Sequence, residues 1–235
     1  MISLSTFDTL LSTLPLLLAV AIYQWKLGHC KDLVVAAARM VLQLVAVGYL
    51  LSFLFDYRWS WLGVAVLSFM TLVSTSIAIR PLQQKTWQHF RAALLALFLS
   101  GSLHLFWILL VVLQLSPWYQ PQFVIPLAGM VFANGMNSLS VGAERYEAET
   151  AHNTSNATTV AFNAAMIPQI NALLAVGLVS LPGMMTGQIL SGISPLEAVR
   201  YQIMVMSMVA GTSACCLFLY FYLLTRWGNT VNASN

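Results

Sequence analysis

Long apolar runs separated by short polar breaks dominate this chain, and their lengths match a bilayer rather than a globular core. About 20 apolar residues carry an α-helix across the hydrocarbon. Runs of that length cover residues 6–25, 33–55, 59–79, 92–115, 123–143, 160–181 and 201–225. The pattern predicts an all-α, polytopic integral membrane protein with about seven transmembrane helices, organised as a single transmembrane domain over 1–235.

One tract departs from this alternation. Residues 175–188 place Pro182-Gly183, then Met184 and Met185, then Gln188, inside membrane-grade hydrophobicity. A Pro-Gly interruption frees backbone N–H and C=O groups that have no water partner in lipid. Such backbone is tolerated only where protein or a wet cavity satisfies it. The tract therefore reads as a gate or re-entrant turn beside a passage. Gly183 and Gly187 also make a GxxxG pattern, with Ser191 one step further, where a second backbone can approach closely.

Composition agrees with the pattern: 59% apolar residues, 7% charged and a mean hydropathy of +0.80 leave too little polar surface for a water-soluble globule. The net charge of +3 matters less than where the basic residues fall. With the N-terminus outside, the inner side holds Lys26, Lys31, Arg39, Arg80, Lys85, Arg91, Arg145 and Arg226, and only Arg58 and Arg200 lie outside. That asymmetry favours N-out and C-in. With Asp8 in place of a basic n-region, no removed signal peptide is expected. Cys30, Cys215 and Cys216 make no disulfide framework, and the sequons at Asn153, Asn156 and Asn232 fall on the inner side, where they stay unmodified.

The loops carry neither a Gly-rich phosphate loop nor a CxxC spacing, so the chain is expected to have no ATPase site and to be no enzyme. It is expected to bind no cofactor itself. Any ATP would sit on a partner subunit, and nucleic acid is not an expected partner. The longest inner segment, 143–159, opens with Glu144, Arg145, Glu147 and Glu149 and continues as an uncharged polar stretch. Glu144 and Glu147 share a helical face, which suits a docking surface, although a solvated connector explains the same composition.

Polar side chains within the spans usually face a bundle interior or a wet path. Arg39 and Gln43 share a face of the second span, as an anion contact or bundle lock, or as an arginine reaching the inner headgroups. Asn134, Asn137 and Ser138 form an uncharged stripe, and Gln169 and Asn171 follow Pro168; both sets either line a path or bridge helices. His104 is a proton relay or metal ligand, or an ordinary hydrogen-bonded interface residue. The eleven methionines, Met204 and Met208 among them, read first as adaptable core filler and second as soft-metal ligands.

Several stretches resemble one family: Arg39-Met-Val-Leu-Gln-Leu-Val-Ala-Val-Gly-Tyr49, Val124-Ile-Pro-Leu-Ala-Gly-Met130, Met166-Ile-Pro168, Val176-Gly-Leu-Val-Ser-Leu-Pro-Gly-Met-Met-Thr-Gly-Gln188 and Ala198-Val-Arg-Tyr-Gln-Ile-Met204. Together they are similar to the FetB family of bacterial membrane permeases. The resemblance implies a permease subunit of an ATP-binding-cassette transporter in the bacterial inner membrane, paired with a cytoplasmic ATPase and associated with iron export. Plant relatives are linked to aluminium tolerance. Relative to the family, the interval from Glu149 to Ala164 is short and has no charged residue after Glu149, where members carry a longer charged cytoplasmic helix.

The resulting expectation is a homodimer in membrane lipid. Its passage runs by Asn134, Asn137, Gln169, Asn171, Pro182, Gly183, Met184, Met185 and Gln188, and its ATPase-facing surface is Glu144, Arg145, Glu147 and Glu149. An ATP-independent carrier with His104 as relay, and a non-transporting scaffold that lost its coupling loop, are the alternatives.

Overall fold

A computed structural model describes residues 5–28, 30–56, 60–117, 119–152 and 154–232. Arg58 and Asn153 lie outside them. The described residues form helices and turns, with one isolated bridge between Val176 and Ser180 and no strand. Five stretches are long and apolar enough to cross a membrane: Phe7–Leu27, Lys31–Leu51, Trp87–Val112, Pro121–Ala151 and Pro195–Trp227. Gly63–Ala78 adds a shorter apolar helix. The chain is thus an all-α membrane protein. It divides into two compact units, residues 1–58 and 59–235.

The first unit contains α1 (Thr6–Leu11), α2 (Leu14–Leu27) and α3 (Lys31–Asp56). Ser5 caps α1 in a reciprocal capping box with Asp8. Pro15 sits in the first turn of α2, where its missing N–H costs nothing. Gly28 ends that helix at φ +71°, and its N–H donates to the Gln24 carbonyl. Arg39 and Gln43 lie on α3 with both side chains exposed.

The second unit contains α4 (Ser60–Ala78), α5 (Trp87–Phe106) continued by a π-helical stretch Trp107–Val112, α6 (Pro121–Ala151), α7 (Ala157–Ala175), α8 (Gly183–Leu190) and α9 (Pro195–Asn232). Helix α9 packs on α5, α6, α7 and α8. Two apolar clusters fill the space between them. Near one end, Ala92, Ala93, Ala96 and Leu97 of α5 meet Leu139 and Ala143 of α6, Ala161 and Ala165 of α7, and Leu217 and Tyr220 of α9. Near the other, Leu105 to Leu109 meet Val124 to Phe132 and the Val205, Met208 and Val209 face of α9. Met70, Met130, Met184 and Met204 pack against this second cluster, which is the core-filling use of methionine.

Helix ends differ from the hydropathy pattern. Segment 143–159, expected as a loop, is mostly helical, because α6 continues unbroken to Ala151 and only 152–156 connect it to α7. The residues that extend it are good helix formers, and Arg145 and Glu149 pair at i, i+4. The opposite happens at the sixth run. Helix α7 stops at Ala175, since Val176 leaves the helix with ψ 130° and the chain turns through Gly177 at φ +83°.

The close approach of α6 to α7 and α9 requires a glycine at 142. A Cβ there would lie 2.6 Å from Leu217 Cδ2, 3.3 Å from Ala165 Cβ and 3.4 Å from Phe221 Cζ. Gly142→Val is therefore expected to destabilise the fold by about 1–3 kcal/mol through overpacking. Gly63→Ala, where nothing lies within 4 Å, is expected to leave stability unchanged or slightly raised. Thermal unfolding midpoints in detergent measure both, and equal midpoints for the two variants would refute the packing account.

Candidate functional site

At one end of the second unit the α4–α5 turn, the end of α6, the α6–α7 connection and the end of α9 converge. Thr86 caps α5, its hydroxyl accepting from the His89 N–H. Glu147 fixes the turn before that cap: its Oε2 accepts from the Gln83 N–H and its Oε1 from the Gln84 N–H, both at 2.9 Å. One carboxylate thus binds two consecutive backbone donors, a charge-assisted arrangement stronger than neutral hydrogen bonds. Beside it His89 Nδ1 and the Tyr220 hydroxyl share a hydrogen bond at 2.7 Å, linking α5 to α9. Arg91 lies over the Trp227 ring at 5.2 Å.

The other acidic residues of α6 also have partners. Arg145 pairs with Glu149 Oε1, and Glu149 Oε2 accepts from the Thr154 hydroxyl at 2.7 Å, folding the short connection back on its helix. Glu144 is exposed. Next to this connection a cleft of about 460 Å³ is bordered by Tyr146, Thr150, Thr154, Thr158 and Thr225. Sequence reasoning singled out the glutamates but missed the turn that Glu147 holds. No local signal reveals a partner 63 residues away.

The mid-span polar residues divide by burial. Gln169 of α7 is buried and donates through Nε2 to Asn134 Oδ1 of α6 at 3.3 Å, while Asn134 Nδ2 donates to the Met130 carbonyl at 2.8 Å. The structure brings these two together as a bridge between helices. It does not bring in Asn137 or Asn171, which are exposed, although Ser138 of the same stripe is buried. Helix α7 stays helical through Pro168. His104 Nδ1 donates to the Ser100 carbonyl one turn back at 2.9 Å, and its Nε2 faces Gly211, where a Cβ would stand 2.7 Å away. The described residues contain no group of three or more His, Cys, Asp or Glu side chains able to hold a metal ion.

At the opposite end the 176–182 turn leads into α8. Gly177 N–H donates to the Ser180 carbonyl, while the turn exposes Leu178 and Val179. Eight residues at 1.5 Å each make α8 about 12 Å long, too short to span a bilayer. Met185 is buried, Met184 is half-buried in the second apolar cluster, and Gln188 Oε1 is buried without a hydrogen-bond partner among the described residues. Among the described residues nothing lies within 4 Å of a Cβ on Gly183 or Gly187, so none of them makes the expected close backbone approach at the GxxxG. The reason is directional: Met185, between the two glycines, is the residue of α8 that turns into the core.

Comparison with known proteins gives a consistent result. The chain is 34% identical over 213 residues to a Synechocystis UPF0014 membrane protein, covering 83% of this chain and 82% of that one. It is 32% identical over 231 residues to the rice UPF0014 membrane protein STAR2, covering 90% and 79%. It is 31% identical over 220 residues to the probable iron export permease protein FetB of Escherichia coli, covering 86% and 83%. No solved structure matches it. The model of the uncharacterised protein family UPF0014 matches residues 7–160 and 148–227, two pieces that overlap around the α6–α7 connection. Across nearly its whole described length, this chain belongs to the UPF0014 family of membrane proteins.

Proposed function

We propose that the chain is the membrane permease subunit of a transporter whose energy comes from a separate ATP-hydrolysing subunit, and that its cargo is a metal ion, iron first, moved outward. The observation that carries this reading is the similarity to the E. coli probable iron export permease over more than four fifths of both chains. The end of the second unit that holds Glu147 is the inner face. Five of the basic residues assigned to the inner side, Arg80, Lys85, Arg91, Arg145 and Arg226, belong to elements that meet there, whereas Arg200 lies in the first turns of α9 at the opposite end. This supports C-in, and the reading as a whole is N-out and C-in in a bacterial inner membrane.

The ATPase docks on a composite of the α4–α5 turn and the end of α6. Glu147 and Glu149 shape that surface through their internal bonds, while Glu144 and Lys85 present charge to the partner. The short 152–156 connection replaces a longer coupling element and is tied back to α6 by Thr154 on Glu149. Arg39 and Gln43 serve as an anion contact at the inner boundary of α3. The passage runs between two copies of the chain, past Asn134, Asn137, Gln169 and Asn171 and along Pro182, Gly183, Met184, Met185 and Gln188. The exposed amides of Asn137 and Asn171 are costly against lipid, and a wet passage beside a second copy relieves that cost. The open glycines of α8 offer the same copy a close approach.

In vesicles containing this chain and an ATP-hydrolysing subunit recovered with it from membranes, iron flux is expected to require both subunits and ATP. Flux that ignores ATP, or a chain that recovers no nucleotide-binding subunit from membranes, refutes the coupling. Trypsin is expected to cut after Lys85 in inverted vesicles and not in intact cells. Glu147→Ala is expected to accelerate that cut several-fold by releasing the turn, and Glu144→Ala to leave its rate unchanged. Cleavage from the outer side would reverse the orientation, and an unaltered rate in Glu147→Ala would remove the clamp from the docking surface.

A further inference from the structure

At the end of the second unit that holds Glu147, a groove of about 400 Å³ runs between the start of α7 and the last turns of α9. Its mouth is made of hydroxyls, from Thr158 and Thr159 of α7 and Thr225 of α9. One to two turns further along each helix the walls become Phe162 and Asn163 on one side and Phe218 and Tyr222 on the other. The groove opens outward, with Phe218 63% and Tyr222 47% exposed.

Position along α9 fixes what surrounds this groove. The apolar span of α9 closes at Trp227, and Arg91 lies over that indole ring. Indole rings and basic side chains mark the headgroup level of a bilayer. Phe218 lies about 10 Å below Thr225 at 1.5 Å per residue, so the groove starts among headgroups and descends into hydrocarbon. Its polarity changes along the same axis, hydroxyls above and aromatic rings below. Thr158, Thr159 and Asn163 have no side-chain hydrogen bond to another described residue, and an exposed amide at the depth of Asn163 is costly against bare hydrocarbon. Charge completes the pattern. Arg226 donates to the Tyr222 hydroxyl at 2.9 Å, which holds its guanidinium at the mouth with further N–H donors to spare. None of the wall residues is acidic, and Glu149 beside the adjoining cleft is already engaged by Arg145 and Thr154.

We infer that this groove binds an anionic phospholipid, its phosphate at Arg226, Thr158 and Thr159 and one acyl chain along Phe162, Phe218 and Tyr222. A phosphatidylcholine brings a phosphate too, but its quaternary ammonium would stand beside the same guanidinium, so a headgroup of net negative charge is favoured. A second copy fits less well. Copies related by a two-fold axis along the membrane normal meet through one shared patch, which here sets Arg226 against Arg226. The site rests on the chain's place in a membrane and its test uses neither ATP nor flux, so it stands or falls apart from the transport reading.

Phosphatidylglycerol and phosphatidylcholine carrying the same diazirine acyl chain serve as probes on the purified full chain in nanodiscs of unlabelled phosphatidylcholine. Phosphatidylglycerol is expected to label residues 158–163 and 218–225 saturably, with a preference over phosphatidylcholine of about fivefold, the weight of one basic residue at an anionic headgroup. Arg226→Gln is expected to bring the two probes level, and Arg226→Lys, which keeps the charge, to retain most of the preference. Arg200→Gln, at the opposite end of α9, is expected to change nothing. Asn163→Trp, which fills the groove from an exposed position, is expected to block both probes. Equal labelling by the two lipids, labelling spread over the exposed face of α5, the same response to Arg200→Gln as to Arg226→Gln, or insensitivity to Asn163→Trp would overturn the site. Asn163→Cys chains that crosslink to one another and lose the lipid label would overturn it in favour of a second copy.

Discussion

Lipid offers a buried polar group no partner, and the second unit is built around that constraint. Four of its buried hydroxyls turn back on their own helices: Thr71 donates to the Leu67 carbonyl, Thr75 to Thr71, Ser100 to Ala96 and Thr212 to Met208. With those donors satisfied within each helix, the contact surfaces become small and nearly apolar. Helices can then approach at Gly142 and at the alanines 92, 93 and 96 until dispersion holds them. The hydrophobic effect adds little between helices already surrounded by hydrocarbon, so close fit carries the association. Both ends of the unit inherit their geometry from this seam, because α9 runs along it from Gln202 to the aromatic cluster at Tyr220 and Phe221.

The end that holds Glu147 uses a different chemistry from the seam. Glu147 holds two backbone donors, His89 meets Tyr220, and Tyr146 packs on Phe221 with ring centroids 5.4 Å apart. These contacts are directional. They tie a turn between α4 and α5 to α6 and α9, so a force applied at the turn reaches three helices at once. A docking surface needs that property more than it needs exposed charge. Three of the four residues first read as charge contacts, Arg145, Glu147 and Glu149, have their charge engaged inside the chain.

The existence of the helices was legible because hydrophobicity over about 20 residues is a strong signal in lipid. Their ends were not. Hydropathy marks where the hydrocarbon stops, whereas α6 continues to Ala151 because Glu, Ala and Arg favour helix on either side of that boundary. The polar residues were legible as candidates and not as partners. Asn134 and Gln169 stand 35 positions apart, and only the packing of α6 on α7 shows that they meet while Asn137 faces away. Glycine was the hardest to read. The GxxxG of α8 carries the familiar pattern, yet a Cβ on either glycine would meet nothing within 4 Å among the described residues, while the unremarked Gly142 and Gly211 sit under Leu217 and His104. A glycine's role depends on what lies opposite, which its own neighbours in sequence do not encode.

The two ends therefore differ in what it costs to move them. At the Glu147 end, separating α6 from the α4–α5 turn breaks two charge-assisted hydrogen bonds and leaves two backbone donors unpaired. At the opposite end α8 is connected by turns at 176–182 and 191–194 and meets the bundle through Met184 and Met185, whose unbranched side chains repack among several shapes at little cost. The side-chain oxygens of Gln188 and Gln202 lack partners among the described residues, so this arrangement carries unpaired polar groups that another arrangement is free to satisfy. Under the permease reading this asymmetry assigns the parts. The inner end receives the force as a rigid piece, and the short helix beyond α7 is where the fold yields.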